Sequence, residues 1–479
     1  MNAADLAKQL GDLHTELNIV WTLVTGFMVM FMQAGFALVE TGLTRAKNVG
    51  HTMAMNFLVY AIGIVGFWSI GFALQMGGVG PLATFDNDPT LNHELYIEVG
   101  GKIFGLMGLR GFFLSPEVLT PGVATLFLFQ LVFMDTAATI PTGAGAERWK
   151  FTSFVLFSFV ASAIIYPIFA NWTWGGGWLS QLGTNFGLGH GHVDFAGSSV
   201  VHMVGGVMAF MVARALGPRQ GKYAADGSVK AIPGHSAPLV VLGTFILAFG
   251  WFGFNPGSTL SGSDTRIAVI AVNTMLASAA GAFGAYLYTK LRFGSPDVSM
   301  LCNGMLAGLV AITAPCAFVT APSAILIGLV AGVLVIKSAL FIEQTLRVDD
   351  PVGAVSVHGV CGAWGILALG LLADGRYGEG FNGVAGPVRG LLYGDSGQFF
   401  AGCIGIFANV AWVGGAAWLA LKAIGAFVGN RSTPQDELDG LDVSEMGGPG
   451  YAPDALAKRR SPSVVDIAEP TGRILLKSP

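Results

Sequence analysis

Residues 194–206 read DFAGSSVVHMVGG, and residues 349–362 read DDPVGAVSVHGVCG. Aligning Asp194 with Asp350 matches Gly197 with Gly353, Val201 with Val357, His202 with His358 and Gly206 with Gly362. Both stretches are D-x2-G-x3-V-H-x3-G, and both run on into apolar sequence. An imidazole in such surroundings needs a partner, because an unpaired polar group away from water costs about 2–7 kcal/mol. For one histidine the plain reading is a helix-packing residue bonded to a backbone carbonyl. The repetition asks for one explanation of both.

The rest of the chain says where these histidines sit. Of its 479 residues, 53% are hydrophobic and 11% charged, with a mean hydropathy of +0.63. A soluble protein carries about 25% charged residues, so a soluble enzyme is excluded. The 69 glycines point to close helix packing in a membrane, where small residues let backbones touch. Ala277, Gly281 and Ala285, spaced four apart, are one such stripe. Cys302, Cys316, Cys361 and Cys403 lie in or beside apolar runs, spaced like neither a zinc site nor a disulfide framework. They read as small buried hydrophobes. A net charge of −4 says little about partners, and no nucleic-acid motif is present. The N-terminal stretch MNAADLAKQLGDLHTELN has no basic region leading into an apolar core, so a cleavable signal peptide is not expected.

Apolar runs of about 20 residues, the length that spans a bilayer, centre near Met28, Gly63, Leu131, Ser158, Met208, Leu247, Met275, Leu309, Val330, Trp364 and Trp412. They predict eleven transmembrane helices. A closed barrel would show ten-residue alternating segments instead. With eleven spans, 19 of the 25 Lys and Arg fall on one side. The positive-inside bias then puts the N-terminus outside and the C-terminus inside a plasma or inner membrane. Residues 1–428 form the membrane domain and 429–479 a cytoplasmic tail. The two D-x7-H segments fall on spans five and ten and run in opposite directions. That predicts an inverted repeat of helices 1–5 and 6–10, with the substrate path where the halves meet.

Other features gather around this path. NWTWGGGWLS supplies Trp172, Trp174 and Trp178 at the outer face. Interfacial belt residues account for the first and last. Trp174 stands before three glycines, which leave an indole face open to a small cation. In GWFGFNPGS, residues 250–258, Phe254 could plug a vestibule and Ser258 offer a hydroxyl acceptor, or the stretch is simply a packed helix end. Span three carries Phe133 and Asp135 in LFQLVFMDTAATIP. A carboxylate inside a membrane is a functional candidate, with pairing between helices or subunits as the alternative. The GHGH doublet at 189–192 reads as a solvated outer loop rather than a metal site. No nucleophile elbow, phosphate loop or metal-ligand cluster occurs, so neither an enzyme nor a cofactor is expected.

FMQAGFALVETGLTRAKN, AERWKF, TWGGG, DFAGSSVVH, GWFGFNPGS, RVDDP and VHGVCG stand in this order along the chain. Together they resemble the Amt branch of the ammonium transporter (Amt/Mep/Rh) family, over all the spans and into the tail. The resemblance implies an eleven-helix protomer in a homotrimer with one pore per protomer. It also implies an outer ammonium-recruitment site at Phe133, Trp174 and Ser258 with Asp194 beneath it. A stacked gate of Phe133 and Phe254 and a pore lined by His202, His358 and Trp251 follow in the same way. Ammonium would lose its proton and cross as ammonia, with net charge transport, and a cytoplasmic PII-type signalling protein would dock near Leu441 and Asp442. Alternatives are an ammonium sensor signalling through its tail, and an Rh-like neutral gas channel, against which Trp174 argues. The chain departs from the family pattern at Gly353, where an acidic residue is common, and at Met446 and Pro449 in the tail.

Overall fold

The computed structural model describes residues 2–377 and 380–452. Lys458, Arg459, Arg460, Arg473 and Lys477 of the charge count, and the tail beyond residue 452, lie outside the described residues. Among the described residues, ten helices are long and apolar enough to cross a membrane. They are α1 Ala3–Leu43, α2 Ala46–Met76, α3 Pro121–Gly145, α4 Phe151–Trp174, α5 Ser198–Leu216, α6 Ala237–Thr259, α7 Arg266–Phe293, α9 Ala321–Gln344, α10 Val355–Leu372 and α11 Ser396–Val428. Between α7 and α9 runs α8, Val298–Thr313, an apolar helix of 16 residues. Each expected span centre lies in one of these eleven helices. α8 ends at Thr313 because the next N–H, that of Ala314, donates to the Ser198 hydroxyl at 2.7 Å, and Pro315 after it has no N–H with which to continue the ladder. The chain turns there, with Phe318 N–H donating to the Pro315 carbonyl at 2.8 Å.

Polar residues start the helices where the sequence changes character. The Thr120 hydroxyl accepts the Val123 N–H ahead of Pro121, and Asp297 and Asp395 accept from Met300 and Gln398. Each caps an N–H that the helix itself leaves unpaired. The small-residue stripe on α7 is the place where three helices touch. A Cβ on Gly304 or Gly308 of α8, or on Gly328 or Gly332 of α9, would collide with Ala277, Gly281 or Ala285.

At one end of the bundle a hairpin, β1 Glu94–Val99 and β2 Lys102–Gly108, turns through Gly100 and Gly101, both with positive φ. Trp172 Nε1 donates to the Leu106 carbonyl at 2.9 Å, which seats the hairpin over the end of α4. At the other end the cation-rich loops meet. Arg219 bonds both oxygens of Asp349 at 2.9 Å and reaches Glu147 at 3.1 Å. Arg45 bonds the same Glu147, and Lys222 bonds Glu343. Burial raises the Asp349 carboxyl, but the Arg219 hydrogen bonds and the charges of Arg219 and Arg148 outweigh it and bring the group down to about 2. This cluster staples the loops after α1, α3 and α5 to the entrance of α10.

The tail folds back on that end as two short helices, α12 Pro434–Asp439 and α13 Leu441–Met446. Arg431 bonds Glu437 at 2.5 Å, and Lys47 donates to the carbonyls of Glu437 and Leu438 at 2.6 Å. Asp442 accepts the His51 N–H at 2.8 Å, and Leu441 N–H donates to Asn48 at 2.9 Å. Leu441 and Asp442 are both buried, so they are not themselves the surface that a partner meets.

The two motif copies fold alike in a way their spacing did not announce. Ser198–Met203 and Val355–Val360, the opening turns of α5 and α10, are π-helical. His202 N–H donates to the Gly197 carbonyl five residues back, at 3.0 Å. The segments also cross in opposite senses. A Cβ on Gly206 would strike Gly359, while one on Gly362 would strike Ser198. As residue numbers rise along α5, those of its contacts on α10 fall.

Candidate functional site

Each histidine is delivered by an aspartate and a glycine. Asp194 Oδ1 accepts the N–H groups of Gly197 and Ser198 at 2.9 Å, and Oδ2 accepts those of Ser199 and Val200 at 2.7 and 2.9 Å. Gly197 has φ +118, a backbone that only glycine adopts at low cost. Asp350 repeats the cap, accepting from Gly353 and Val355 at 3.1 and 2.7 Å, and Gly353 has φ +79. Glycine at 353 is therefore the residue this turn favours.

The two imidazoles meet. His202 Nδ1 lies 3.2 Å from His358 Nδ1, with ring planes 22° apart. A hydrogen bond between two ring nitrogens needs one donor and one acceptor, so a single proton bridges the pair. Both rings are buried, and His202 Nε2 has no protein partner. Trp251 stacks on His202 at 5.1 Å, fixed by its Nε1–H donating to Thr313 at 2.9 Å. Phe254 stacks on the same ring at 5.3 Å and on Phe133 at 4.1 Å.

Beyond Phe133 lies a cavity of 200 Å³ lined by Phe133, Trp174, Ser258, Gln130, Leu126 and Phe195, among others. Trp174 presents its ring 6.0 Å from Phe133, and its Nε1–H is held by the Asp194 carbonyl at 2.7 Å. Ser258 Oγ donates to the Phe254 carbonyl at 2.7 Å, which leaves its lone pairs for a guest. On the far side of the histidines a void of 20 Å³ is bounded by His358, Phe36, Glu40 and Asn303. Asn303 and Val352 also line a wider pocket of 370 Å³ with Arg219, Lys222 and Asp350. The predicted residues Phe133, Trp174, Ser258, Phe254, His202, His358 and Trp251 thus form one file between the two ends of the bundle. Asp194 sits beneath it, its carboxylate fully used.

Asp135 lines none of these cavities. It is buried on α3 beside Gly63 of α2, and its Oδ1 has no partner. Glu40, which was not among the expected site residues, accepts from Asn56 and Thr142 at 2.7 and 2.6 Å and borders the smaller void. Like Asp135, Glu40 is a carboxylate within an apolar run, a contrast visible in the sequence. The GHGH doublet is corrected outright. His190 and His192 are buried rather than solvated, because Gln398 and Asn382 pin the loop by its backbone. Among the described residues no group of three or more His, Cys, Asp or Glu side chains is arranged to hold a metal.

The sequence profile of the Ammonium Transporter Family matches residues 20–451. The chain belongs to that family. Ammonium transporter Amt2 of Archaeoglobus fulgidus is 45% identical over 453 residues, 94% of this chain and 91% of that protein. Ammonium transporter 1 member 3 of Solanum lycopersicum is 34% identical, covering 92% of this chain and 94% of the relative. Among solved structures, a sensor Amt protein superposes with a TM-score of 0.78 at 35% identity, over 91% of this chain and 99% of that one. Mep2 of Candida albicans does so with 0.72 at 27% identity, over 88% and 87%. This ammonium transporter family member is thus a multi-pass membrane protein.

Proposed function

We propose that the chain transports ammonium: it binds the cation in the Trp174 cavity, strips its proton and conducts ammonia past Phe133 and Phe254 along the His202–His358 pair, with net charge transport. The indole face and the Ser258 hydroxyl suit a small cation, a contact worth about 0.5–2 kcal/mol. A bare ion entering the dry file beyond would lose its hydration without compensation, whereas neutral ammonia needs only a few polar partners. The bridged imidazoles supply a donor, an acceptor and a proton relay. Potassium, with no proton to give up, is refused without a size filter. The observation that carries the reading is the 3.2 Å contact between the two buried rings, set between an outer and an inner cavity.

In this reading eleven helices cross the plasma or inner membrane, with the N-terminus outside and the tail inside, and three protomers assemble, each with its own path. A trimeric PII-type signalling protein would meet the tail at exposed residues such as Leu438 and Val443, since Leu441 and Asp442 face inward. Ammonium-evoked current in proteoliposomes tests the function. Current in the wild type that disappears in His202→Ala and His358→Ala supports it; an electrically silent wild type ends it. The 35% identity to a sensor Amt protein favours a second reading, in which the same site binds ammonium and signals through the tail. Binding without flux would establish that one, and neutral flux without current a gas channel.

A further inference from the structure

His192 is a buried histidine that the transport path does not use. It lies outside the helices, just before α5, and is wholly enclosed. Its Nε2 is 2.9 Å from Ser199 Oγ, and that hydroxyl donates to Asp194 Oδ2 at 2.7 Å. With the Ser199 proton committed to Asp194, Nε2 carries the hydrogen and donates. The Asp194 carboxylate thereby gains a fifth donor beyond four backbone N–H groups. The Asp194 carbonyl in turn holds the Trp174 indole. A chain of hydrogen bonds runs from His192 through Ser199 and Asp194 to the aromatic wall of the outer cavity.

The slot for the ring is purpose-built. A Cβ on Gly405 of α11 would collide with the imidazole, and one turn further along Asn409 donates to the Ser199 carbonyl at 3.1 Å. Phe169 closes the remaining side at 6.4 Å. The inner motif copy has nothing comparable: Val348 and Val355 stand where His192 and Ser199 stand in the outer copy. The inner copy also has no indole to hold. Burial pushes the His192 ring down to about 4, against the raising effect of Asp194. It is therefore a neutral donor at physiological pH.

We propose that His192 is a positioning residue for ammonium recruitment, acting through the Ser199 hydroxyl to lock the Asp194 turn that fixes Trp174. The inference rests on the recruitment role of Trp174. The test is the half-saturation of ammonium-evoked current in proteoliposomes, with maximal current per protein measured alongside. His192→Leu should raise half-saturation about three- to tenfold, the scale of one lost hydrogen bond between neutral groups, and leave maximal current within about twofold. His192→Gln keeps a side-chain donor and should restore wild-type half-saturation. The His192→Leu/Ser199→Ala double variant should be no worse than either single variant, because both break one chain.

Unchanged half-saturation in His192→Leu, failure of the glutamine to rescue, or additive singles would each overturn the inference. If His192→Leu does not fold, Ser199→Ala decides alone: a comparable rise supports the chain and no rise removes it. Trp174→Leu is run in parallel. No effect there fells the recruitment reading itself, whereas an effect there with none at His192 fells only this inference.

Discussion

The two copies of the D-x2-G-x3-V-H motif, an outer one at Asp194 and an inner one at Asp350 in the proposed orientation, build the same turn in different company. Around Asp194 five donors converge, and the loop carrying it is tied to α4 and α11 by Trp174, Asn409 and Gln398. Around Asp350 two backbone donors suffice, and the carboxylate borders an open pocket of 370 Å³. Rigidity at the inner copy comes instead from its neighbour, Asp349, clamped by Arg219. The comparison separates what the motif does from what its setting adds. Aspartate and glycine aim a histidine inward in both halves. The Asp194 setting also shapes the aromatic wall of a cavity, and the Asp350 setting anchors loops to each other.

The largest effect should come from breaking what the copies share. Replacing either His202 or His358 with Ala removes a partner of the other, and ammonium current should fall at least about 100-fold, the usual scale for loss of a positioned proton-transfer group. A variant that keeps more than a tenth of the current would show that the pair is not the path. Next come the glycines. Gly197→Ala forces a left-handed alanine and drives its Cβ to 2.7 Å from Val201 Cγ2. We expect about 2–4 kcal/mol of lost stability. Gly353→Ala is strained in the same way but meets only Asn303 Nδ2, at 3.0 Å, so about 1–2 kcal/mol is expected. Thermal unfolding in detergent should rank them in that order, and equal losses would mean that the two turns are equally packed.

The Asp349 clamp gives a smaller, pH-marked effect. A carboxyl lowered from 3.8 to about 2 contributes stability above its unfolded value, and that contribution drains away as pH falls from about 4 to 2. It amounts to about 2 kcal/mol. Asp349→Asn should unfold more easily at neutral pH and show a flatter acid decline over that window. A parallel decline in both proteins would assign acid sensitivity elsewhere. Smallest is the indole: Trp174→Leu should weaken half-saturation for ammonium by about 2- to 30-fold, matching about 0.5–2 kcal/mol of cation–π contact, without loss of thermal stability. An unchanged value would reduce the outer wall to packing.

Much of this was legible because it is written as contrast. A histidine twice in the same frame, inside sequence otherwise made of Val, Met and Gly, identifies a pair before any coordinates. Long apolar runs likewise locate the helices. What stayed hidden has no local signature. The π-helical openings depend on hydrogen bonds to Gly197 and Ser356 that only the folded turn reveals. The β1–β2 hairpin lies in a loop whose alternation is too weak to stand out beside the spans. His192 looked like part of a polar loop, because its burial is decided by Gly405, some 200 residues away in sequence. Leu441 and Asp442 suggested a docking surface, yet they spend their contacts on Asn48 and His51.

The π-helical openings carry a consequence for how such a protein can vary. A turn closed five residues back holds one residue more than an ordinary turn, and each residue of an α-helix advances it by about 100°. Losing one position between Gly197 and His202 would swing the imidazole about a quarter-turn off the axis, while exchanging a side chain there leaves its bearing unchanged. The segment is thus permissive to spelling and intolerant of length. In the second copy the five-back bond falls later, from Cys361 N–H to the Ser356 carbonyl, but a residue lost between Gly353 and His358 would rotate that ring by the same angle and leave its partner unpaired.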